Sequence, residues 1–337
     1  MRLLNSEDIW DVYSMEQALE DVAAAFVATS AGDAVLPLRT RISIDDRRTL
    51  LMMPSYSARV EAAAVKTIGL YPDNAAKNLP TAPASTILLD SETGQVRALV
   101  DGDTVTKIRT GASSGVAFRY LATESARVGV LVGTGGQAYT QLLAMVIALP
   151  NLEEVRVVNP DRNFAERFVD ELRKWKPFVE SGYDGVITVA THSDTAAIDA
   201  DVIILVTSSH TPVLSAQNLK PGCVISCVGS YQPHMQECGP DIVEHANRII
   251  CDHVESCLAE SGDLIIPLEQ GLIDKSHVTD EIGEIIGGDK PARTCDSDII
   301  VYETVGVGTQ DLWATQAIVE AAEKHNVGTE WTMTELI

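Results

Sequence analysis

The residues with the clearest chemical meaning form a glycine-rich turn after a short apolar strand. The turn Gly133-x-Gly135-x-x-Ala138 follows Val128–Val132 and precedes a run with helical periodicity. In a dinucleotide-binding turn the first glycine permits the tight turn and the second lets the backbone approach a pyrophosphate. A small third residue lets helix and strand pack, and the helix N-terminus supplies amide donors. The pattern predicts a nucleotide site.

The residue expected to read the nucleotide ribose is Asn159, which ends the predicted strand Val155–Val158. NAD-specific sites usually place Asp or Glu there, because a carboxylate bonds the ribose hydroxyls and repels a 2′-phosphate. Asn159 does neither, and Arg162 follows closely. These residues favour NADP(H) over NAD(H), with Asp161 as the alternative ribose ligand.

Three basic residues in the first third of the chain, Arg39, Lys66 and Arg109, stand among strand-forming neighbours. An unpaired buried cation is costly, so each of these side chains needs a partner or a ligand. Lys66 is the clearest example, because it interrupts the apolar run Ala62–Leu70. The alternative is an edge-strand lysine that extends its ammonium group into water.

Length and composition indicate a two-domain protein. The chain has 337 residues, of which 45% are hydrophobic, and a formal net charge of −23. Its 25 Lys and Arg residues form no dense block, which argues against binding to nucleic acid or anionic membranes. No apolar stretch reaches membrane-spanning length and no leader pattern opens the chain, so a cytoplasmic protein is expected. The six cysteines fit reduced thiols better than a disulfide framework.

The positioning elements change character along the chain. The first hundred residues mix a helix at Ser14–Ala28, after a Ser cap, with several strands, which indicates an α+β domain. The predicted strands are Arg39–Ile44, Thr49–Met53, Ala62–Leu70, Thr86–Leu89 and Val96–Val100, the last two joined as a hairpin.

From about residue 115, short β-branched runs alternate with helical segments such as Phe164–Trp175. This alternation predicts an α/β domain of the Rossmann type with a doubly wound parallel sheet. A final helix, Leu312–His325, is expected to pack back on the first domain. The predicted strands are Val128–Val132, Val155–Val158, Val186–Thr188, Val202–Val206, Val224–Val228 and Ile249–Cys251.

Ordered motifs along nearly the whole chain resemble those of the ornithine cyclodeaminase/mu-crystallin family of NAD(P)-dependent enzymes. The matching segments are Pro37–Thr40, Met53–Ser57 with Lys66 after it, Ile108–Ala112, Val132–Ala138, Ala200–Thr207, Lys220–Gly222, Val228–Ser230 with Pro233 and Glu237, Glu260–Asp263, Glu281–Glu284, and Gly306 followed by Asp311. The number and order of these motifs make chance similarity an inadequate explanation.

The resemblance implies a homodimer in which residues 1–114 and 310–337 form the substrate-binding and dimerisation domain. Residues 115–309 then form the dinucleotide-binding domain. Arg39, Lys66 and Arg109 match the family's basic residues around the substrate carboxylate and nicotinamide. The chemistry agrees, because an arginine and a lysine that fix the carboxylate of an imino or amino acid place its neighbouring carbon for hydride transfer.

The predicted site residues fall into a catalytic and a cofactor-binding set. The catalytic set is Lys66, Arg39, Arg109, Tyr231 and Glu260. The cofactor-binding set is Thr110, Gly133, Thr134, Gly135, Gly136, Gln137, Asn159, Arg162, Thr207, Ser208, Val228, Gly229 and Thr304.

One departure from the family pattern concerns the reaction. Cyclodeaminases of the family carry a catalytic aspartate two residues after the glycine of the Val-Gly motif, and this chain has Tyr231 there. A phenol with an ordinary pKa of about 10 does not replace that carboxylate at neutral pH. Glu260 lies in a segment that the family places near the substrate, which makes it a candidate acid or substrate contact.

Other chemistries lack their motifs. The cysteines and histidines between Cys223 and Cys257 include no Cys-x-x-Cys pair and no His-Glu-x-x-His, so no metal site is predicted. No Gly-x-Ser-x-Gly elbow supports a serine hydrolase.

The sequence therefore favours an NAD(P)H-dependent oxidoreductase acting on C–N bonds, with a small imino or amino acid as substrate. A ketimine reductase or amino-acid dehydrogenase is the simplest form. The alternatives are an ornithine-type cyclodeaminase that recycles its NAD and a crystallin-like protein that retains the nucleotide without turnover.

Overall fold

The computed structural model describes residues 1–332 and divides into two compact units. The first unit contains residues 1–109 and the C-terminal segment from residue 307, and the second contains residues 110–306. The boundaries expected from the sequence are residues 114 and 310.

Strands and helices occupy most of the described chain. The strands are β1 (Arg2–Leu4), β2 (Ala34–Val35), β3 (Thr40–Ser43), β4 (Thr49–Ser57), β5 (Ala62–Leu70), β6 (Ala84–Asp90), β7 (Val96–Asp101), β8 (Val128–Val132), β9 (Glu154–Val158), β10 (Val186–Ala190), β11 (Val202–Leu205), β12 (Val224–Cys227), β13 (Arg248–Cys251), β14 (Val278–Glu281), β15 (Ile300–Glu303) and β16 (Thr329–Glu330). The α-helices are α1 (Ser6–Val12), α2 (Met15–Ser30), α3 (Gly102–Leu121), α4 (Ala138–Ala148), α5 (Arg162–Leu172), α6 (Lys176–Glu180), α7 (Ser193–Ala196), α8 (Pro240–His245), α9 (Val254–Glu260), α10 (Gly262–Glu269), α11 (Ile282–Ile286) and α12 (Gly308–His325).

The sheet of the first unit has the strand order β16-β1-β7-β6-β5-β4-β2, and β3 pairs with β4. Strands β4 to β7 form an antiparallel meander, whereas β1 runs parallel to β7. Side chains along β4 alternate between buried and more exposed positions, as expected for a strand with one covered face. Helix α12 packs on β4 and β5 and on α2.

The two helices predicted for this unit are confirmed, with shifted ends. Ser14 caps α2, since its hydroxyl accepts a hydrogen bond from the Gln17 amide at 3.3 Å. Helix α12 begins at Gly308, four residues before the predicted start, and packs on the strands of the first unit as expected. The early start places Asp311 inside the first turn of α12.

The second unit contains an entirely parallel sheet with the order β10-β9-β8-β11-β12-β15-β13-β14. From β8 the chain proceeds to β9 on one side, and later elements return to β11 on the other side. The strand order therefore reverses between β8 and β11. In open α/β sheets of this kind, ligands bind beyond the carboxyl ends of the strands at such a switch point. The predicted doubly wound Rossmann-type fold is confirmed.

Helices α3 and α4 approach each other closely at Gly111. A Cβ atom built on Gly111 would lie 2.4 Å from the carbonyl oxygen of Thr140 in α4. The crossing is held by a hydrogen bond from Gln141 Nε2 to the Thr110 carbonyl at 3.0 Å. The Thr-Gly pair in α3 thus fixes the helix that starts at the glycine-rich turn.

None of the helices in the part of the chain that the structure describes combines the length and the apolar character needed to cross a lipid bilayer.

Candidate active site

The glycine-rich turn leaves the carboxyl end of β8 at the switch point. Gly133 has φ +108°, and a Cβ there would lie 2.5 Å from the carbonyl oxygen of Val206, so only glycine fits. A Cβ on Gly135 would meet no atom within 4 Å, which leaves the backbone at this position open to a ligand. Ala138 is fully buried at the first position of α4. All three residues therefore behave as a dinucleotide turn requires.

The N-terminus of α4 has free hydrogen-bonding capacity. Gln137 occupies the cap position in a helical conformation, and its side chain makes no capping hydrogen bond. Its Oε1 atom is buried without a hydrogen-bond partner among the described residues. The first amides of an uncapped helix attract anions such as phosphate. Thr134, Gly135 and Gly136 lie in the same turn, so these predicted contacts are grouped where a pyrophosphate would bind.

The ribose end of the predicted site is organised by Asn159. Its Nδ2 atom donates to Thr134 Oγ1 at 2.7 Å, and its Oδ1 atom accepts from the Asp161 amide at 2.9 Å. Asp161 caps α5 by accepting a hydrogen bond from the Asn163 amide. Arg162 is exposed and pairs with Glu166 at 2.7 Å. Of the two charged side chains in this loop, Asp161 is thus used to cap α5, whereas Arg162 forms an ion pair at the surface.

The other predicted cofactor contacts follow the carboxyl ends of three adjacent strands. Thr207 and Ser208 follow β11, Val228 and Gly229 follow β12, and Thr304 follows β15. The Thr304 hydroxyl donates its hydrogen bond to the buried Asp252 carboxylate at 2.7 Å, so its proton is not available for a hydrogen bond to a cofactor.

Tyr231 and Glu260 also belong to the second unit. Tyr231 lies in the turn after β12, where its amide donates to the Gly229 carbonyl at 3.2 Å, and its side chain is half-buried. Glu260 is the last residue of α9. The tight passage from α9 to α10 requires Gly262, because a Cβ there would lie 2.0 Å from the Met235 carbonyl oxygen.

In the first unit, Lys66 lies in the middle of β5 with its side chain completely buried. Its Nζ atom is 2.6 Å from Asp311 Oδ2. Its cross-strand neighbour on β6 is Thr86, whose hydroxyl is buried without a partner among the described residues. Lys66 is therefore a core residue of the sheet, and the alternative of a lysine that reaches water is wrong.

Arg109 meets the same carboxylate from a helix. The expectation that Arg109 stands in a strand is wrong, because it lies in α3. Its Nε atom donates to Asp311 Oδ1 at 3.1 Å and its Nη1 atom to Gln310 Oε1 at 3.3 Å. One carboxylate therefore receives two buried cations, one on each oxygen. We call Lys66, Arg109 and Asp311 the ion triad.

The ion triad carries a net positive charge when Lys66 is protonated. Burial, and then the positive charge of Arg109, lower the pKa of Lys66 to about 7, although Asp311 partly opposes this shift. Burial would raise the pKa of Asp311, but Arg109 and Lys66 outweigh it and lower that pKa. Arg39, in the loop before β3, adds a further positive field on Lys66. The group is suited to binding an anion or to donating a proton near neutral pH.

Asp311 is the main site residue that the candidate set lacked. In the sequence Asp311 is only one position of a motif, although a carboxylate in the first turn of a helix is a usable signal, since negative charge is favoured there. Thr86 was also absent from the set, because a threonine in a strand gives no functional signal.

A second buried acidic group lies in the second unit. Cys227, Asp263 and Glu303 each offer one possible ligand atom, and these atoms lie within 4.8 Å of one another. Burial raises the pKa of Asp263 to about 7, and burial together with Asp263 raises the pKa of Glu303 well above its ordinary value. Both shifts favour the protonated acids over the carboxylates, and the absence of a metal site stays a prediction.

Comparisons with known proteins agree on one family. The family model described as the ornithine cyclodeaminase/mu-crystallin family matches residues 2–326. A Delta(1)-pyrroline-2-carboxylate reductase of Bacillus cereus is 31% identical over 329 residues, which cover 97% of this chain and 98% of that protein. Two solved structures are similar over the whole chain. The Thermococcus litoralis Delta(1)-pyrroline-2-carboxylate reductase in complex with NADH and L-proline has a TM-score of 0.92 and 34% identity, covering 98% of this chain and 100% of its own. An archaeal alanine dehydrogenase dimer with bound NAD has a TM-score of 0.90 and 28% identity, covering 99% of both chains.

Proposed function

This chain belongs to the ornithine cyclodeaminase/mu-crystallin family, and from that premise we propose that it reduces the C=N bond of a cyclic α-imino acid. It is an NAD(P)-dependent oxidoreductase acting on C–N bonds, as its relatives are. The relative from Thermococcus litoralis was solved with NADH and L-proline, the amino acid expected from reduction of a five-membered cyclic imine.

The observation that carries the proposal is the ion triad. A buried lysine and a buried arginine that share one aspartate have a surplus of one positive charge, and a substrate carboxylate would neutralise it. We assign the carboxylate to Arg39 and Lys66, with Arg109 fixed by Asp311 beside them. Charge-assisted hydrogen bonds of this kind are the strong ones, and they orient the neighbouring imine carbon.

Lys66 is the proposed source of the proton that the imine nitrogen receives. Reduction of an imine adds one hydride to carbon and one proton to nitrogen, and a bound reduced nicotinamide supplies the hydride. Before substrate binds, the pKa of Lys66 is about 7, which makes this lysine a stronger acid, and so a better proton donor, than an ordinary lysine. Burial of the ion triad keeps water from competing for that proton and for the carboxylate.

The second unit supplies the nucleotide-binding residues. The open backbone at Gly135, the uncapped start of α4 and the orphan Gln137 Oε1 atom fit a pyrophosphate. Thr134 and Asn159, joined by a hydrogen bond, would border the ribose. Thr207, Val228 and Gly229 would contact the nicotinamide half from the ends of β11 and β12.

The activity assay uses a panel of cyclic ketimine carboxylates, followed by NADPH and NADH absorbance. We expect nucleotide oxidation with at least one of them and no ammonia from ornithine, because Tyr231 replaces the aspartate that a cyclodeaminase needs. Ornithine converted to proline and ammonia without net nucleotide change would instead establish the cyclodeaminase. Nucleotide binding without any turnover would favour the crystallin-like alternative.

We propose that NADP(H) is favoured over NAD(H), because the residue that follows β9 is the uncharged Asn159. Asn159→Asp is then expected to move the ratio of KM values toward NADH by roughly five- to tenfold, the size of about 1 kcal/mol of ion-pair energy. The new carboxylate would accept ribose hydroxyls and repel a 2′-phosphate. KM values for both nucleotides provide the measurement.

The matched variant for this cofactor test is Glu166→Gln. It releases Arg162 from its surface partner, and we expect it to strengthen the preference for NADPH. A wild-type protein that already prefers NADH and does not respond to Asn159→Asp would contradict this assignment. Asp161 would then be the better ribose ligand.

We also propose that the chain forms a homodimer through its first unit. Nonpolar side chains stand unusually exposed near the β2, β3 and β4 edge of that sheet, and a second subunit would cover them. These side chains are Val35, Leu38, Ile42, Ile44 and Tyr56. A cytoplasmic location stays a prediction.

A further inference from the structure

Glu237 is a fully buried acid to which the proposed reaction assigns no role. Its segment runs beside Leu214, since Leu214 and Cys238 form a parallel bridge and the Val213 amide donates to the Glu237 carbonyl at 2.8 Å. Its carboxylate reaches the ends of two neighbouring strands of the parallel sheet. One oxygen accepts the Thr207 amide and the other accepts the Gly229 amide.

The Glu237 carboxylate packs directly against the backbone of Gly229. A Cβ on Gly229 would lie 2.2 Å from Glu237 Oε2 and 2.1 Å from the Thr207 carbonyl oxygen. No other residue fits without displacing one of these groups. The Val-Gly motif therefore needs glycine at position 229, because any larger side chain would collide with the Glu237 carboxylate and with the Thr207 backbone.

A second buried acid holds Glu237 in place. Asp263, near the start of α10, accepts the amides of Glu237 and Cys238 on one oxygen, at 2.8 and 3.1 Å. The Asp263 amide in turn donates to Ser230 Oγ at 3.1 Å. The loops after β11 and β12 and the start of α10 are therefore joined through two carboxylates.

We propose that Glu237 is a positioning residue for the nucleotide, which acts by holding the backbone of Thr207 and Gly229 at the carboxyl edge of the sheet. Both amides are consumed by the carboxylate, so neither is available to a ligand. They instead set the positions of Thr207 and of residues 228–229, which the proposed function assigns to cofactor binding. This inference rests on that function.

Glutamine is the informative replacement, because it keeps the size of the side chain but has only one acceptor oxygen. Its NH₂ group would face one of the two amides, and the corresponding loop would lose its anchor. For Glu237→Gln we expect the Kd for NADPH and for NADH, measured by fluorescence titration, to rise about 10- to 100-fold. The KM for the imino acid at saturating nucleotide should stay within about twofold.

The matched control is Asp298→Asn. Asp298 is also buried and also accepts two backbone amides, from Thr294 and Cys295. It lies before β15, however, and so at the amino ends of the strands of the same sheet. This control is expected to lower the melting temperature while nucleotide Kd stays within about twofold. A Glu237→Gln protein with the same behaviour as the control would overturn the inference.

Two further outcomes are informative. If Glu237→Gln does not fold, Glu237→Asp keeps the carboxyl group but is one methylene too short to reach both amides. Its nucleotide Kd is expected to rise at least threefold, and an unchanged Kd would overturn the inference. A wild-type protein that binds neither NADPH nor NADH would contradict the proposed function itself, which separates the two failures.

Discussion

Replacing Lys66 with methionine is expected to lower kcat/KM for the imino acid by about 10²- to 10⁴-fold. The variant loses a charge-assisted contact to the carboxylate and a proton donor in a single step. Folding should survive, because Arg109 and Asp311 remain as a balanced pair and methionine suits an apolar strand position. Steady-state kinetics together with nucleotide titration provide the measurement, and the nucleotide Kd should stay within about twofold.

The pH profile gives this prediction a specific signature. In the wild type kcat/KM should fall as the pH rises through about 7, because Lys66 then loses the proton that both roles need. A bound carboxylate stabilises the charged lysine, so the corresponding fall in kcat should come at higher pH. The Lys66→Met profile should lack this limb.

The control for Lys66→Met is Lys107→Met. Lys107 lies at the surface of α3 and pairs with Asp103, so its loss should leave the kinetics unchanged. Wild-type kinetics in Lys66→Met would show that the lysine is only a structural member of the ion triad.

Asp311→Asn is expected to lower the free energy of unfolding by about 3–5 kcal/mol, because it leaves two buried cations without their shared anion. It should also move the limb of the kcat/KM profile to lower pH. Asp311 raises the pKa of Lys66, so its removal lets burial and Arg109 lower that pKa further. Denaturant unfolding and the pH profile measure the two effects separately.

Asp101→Asn serves as the control for Asp311→Asn. Asp101 caps α3 by accepting the Thr104 amide at 2.7 Å, and asparagine keeps an oxygen that can accept this bond, so the substitution should change the free energy of unfolding by less than about 1 kcal/mol without moving the pH limb. A limb that stays in place in Asp311→Asn would mean that Lys66 does not produce it.

Six strands of the parallel sheet were predictable because their signals are local, whereas β14 and β15 were missing from the predicted strands. Short β-branched runs separated by helical segments define the strands, and the spacing of Gly133, Gly135 and Ala138 defines the turn. The expectation that Arg109 stands among strand-forming residues was wrong for a physical reason. Helix α3 contains glycine, serine and β-branched residues that disfavour helix formation. Its residues 108–118 are all buried. Tertiary packing, which outweighs intrinsic propensity, therefore makes it a helix.

The site was only partly predictable, because its contacts join distant parts of the chain. Lys66 was detectable as a charge in an apolar strand. Its partner Asp311 lies more than 200 residues away, and no periodicity links the two positions. Glu237 likewise appeared only as one position of a motif, since the two amides that it accepts belong to separate loops.

The burial of the ion triad also determines how the protein responds to ionic strength. Dissolved ions screen exposed charges over about 10 Å at 0.1 M salt, but they reach buried pairs far less. The side chains of Lys66, Arg109 and Asp311 are 0%, 5% and 1% exposed, whereas those of Arg162 and Glu166 are 64% and 50% exposed. Potassium chloride should therefore weaken discrimination between the two nucleotides while recognition of the substrate carboxylate persists.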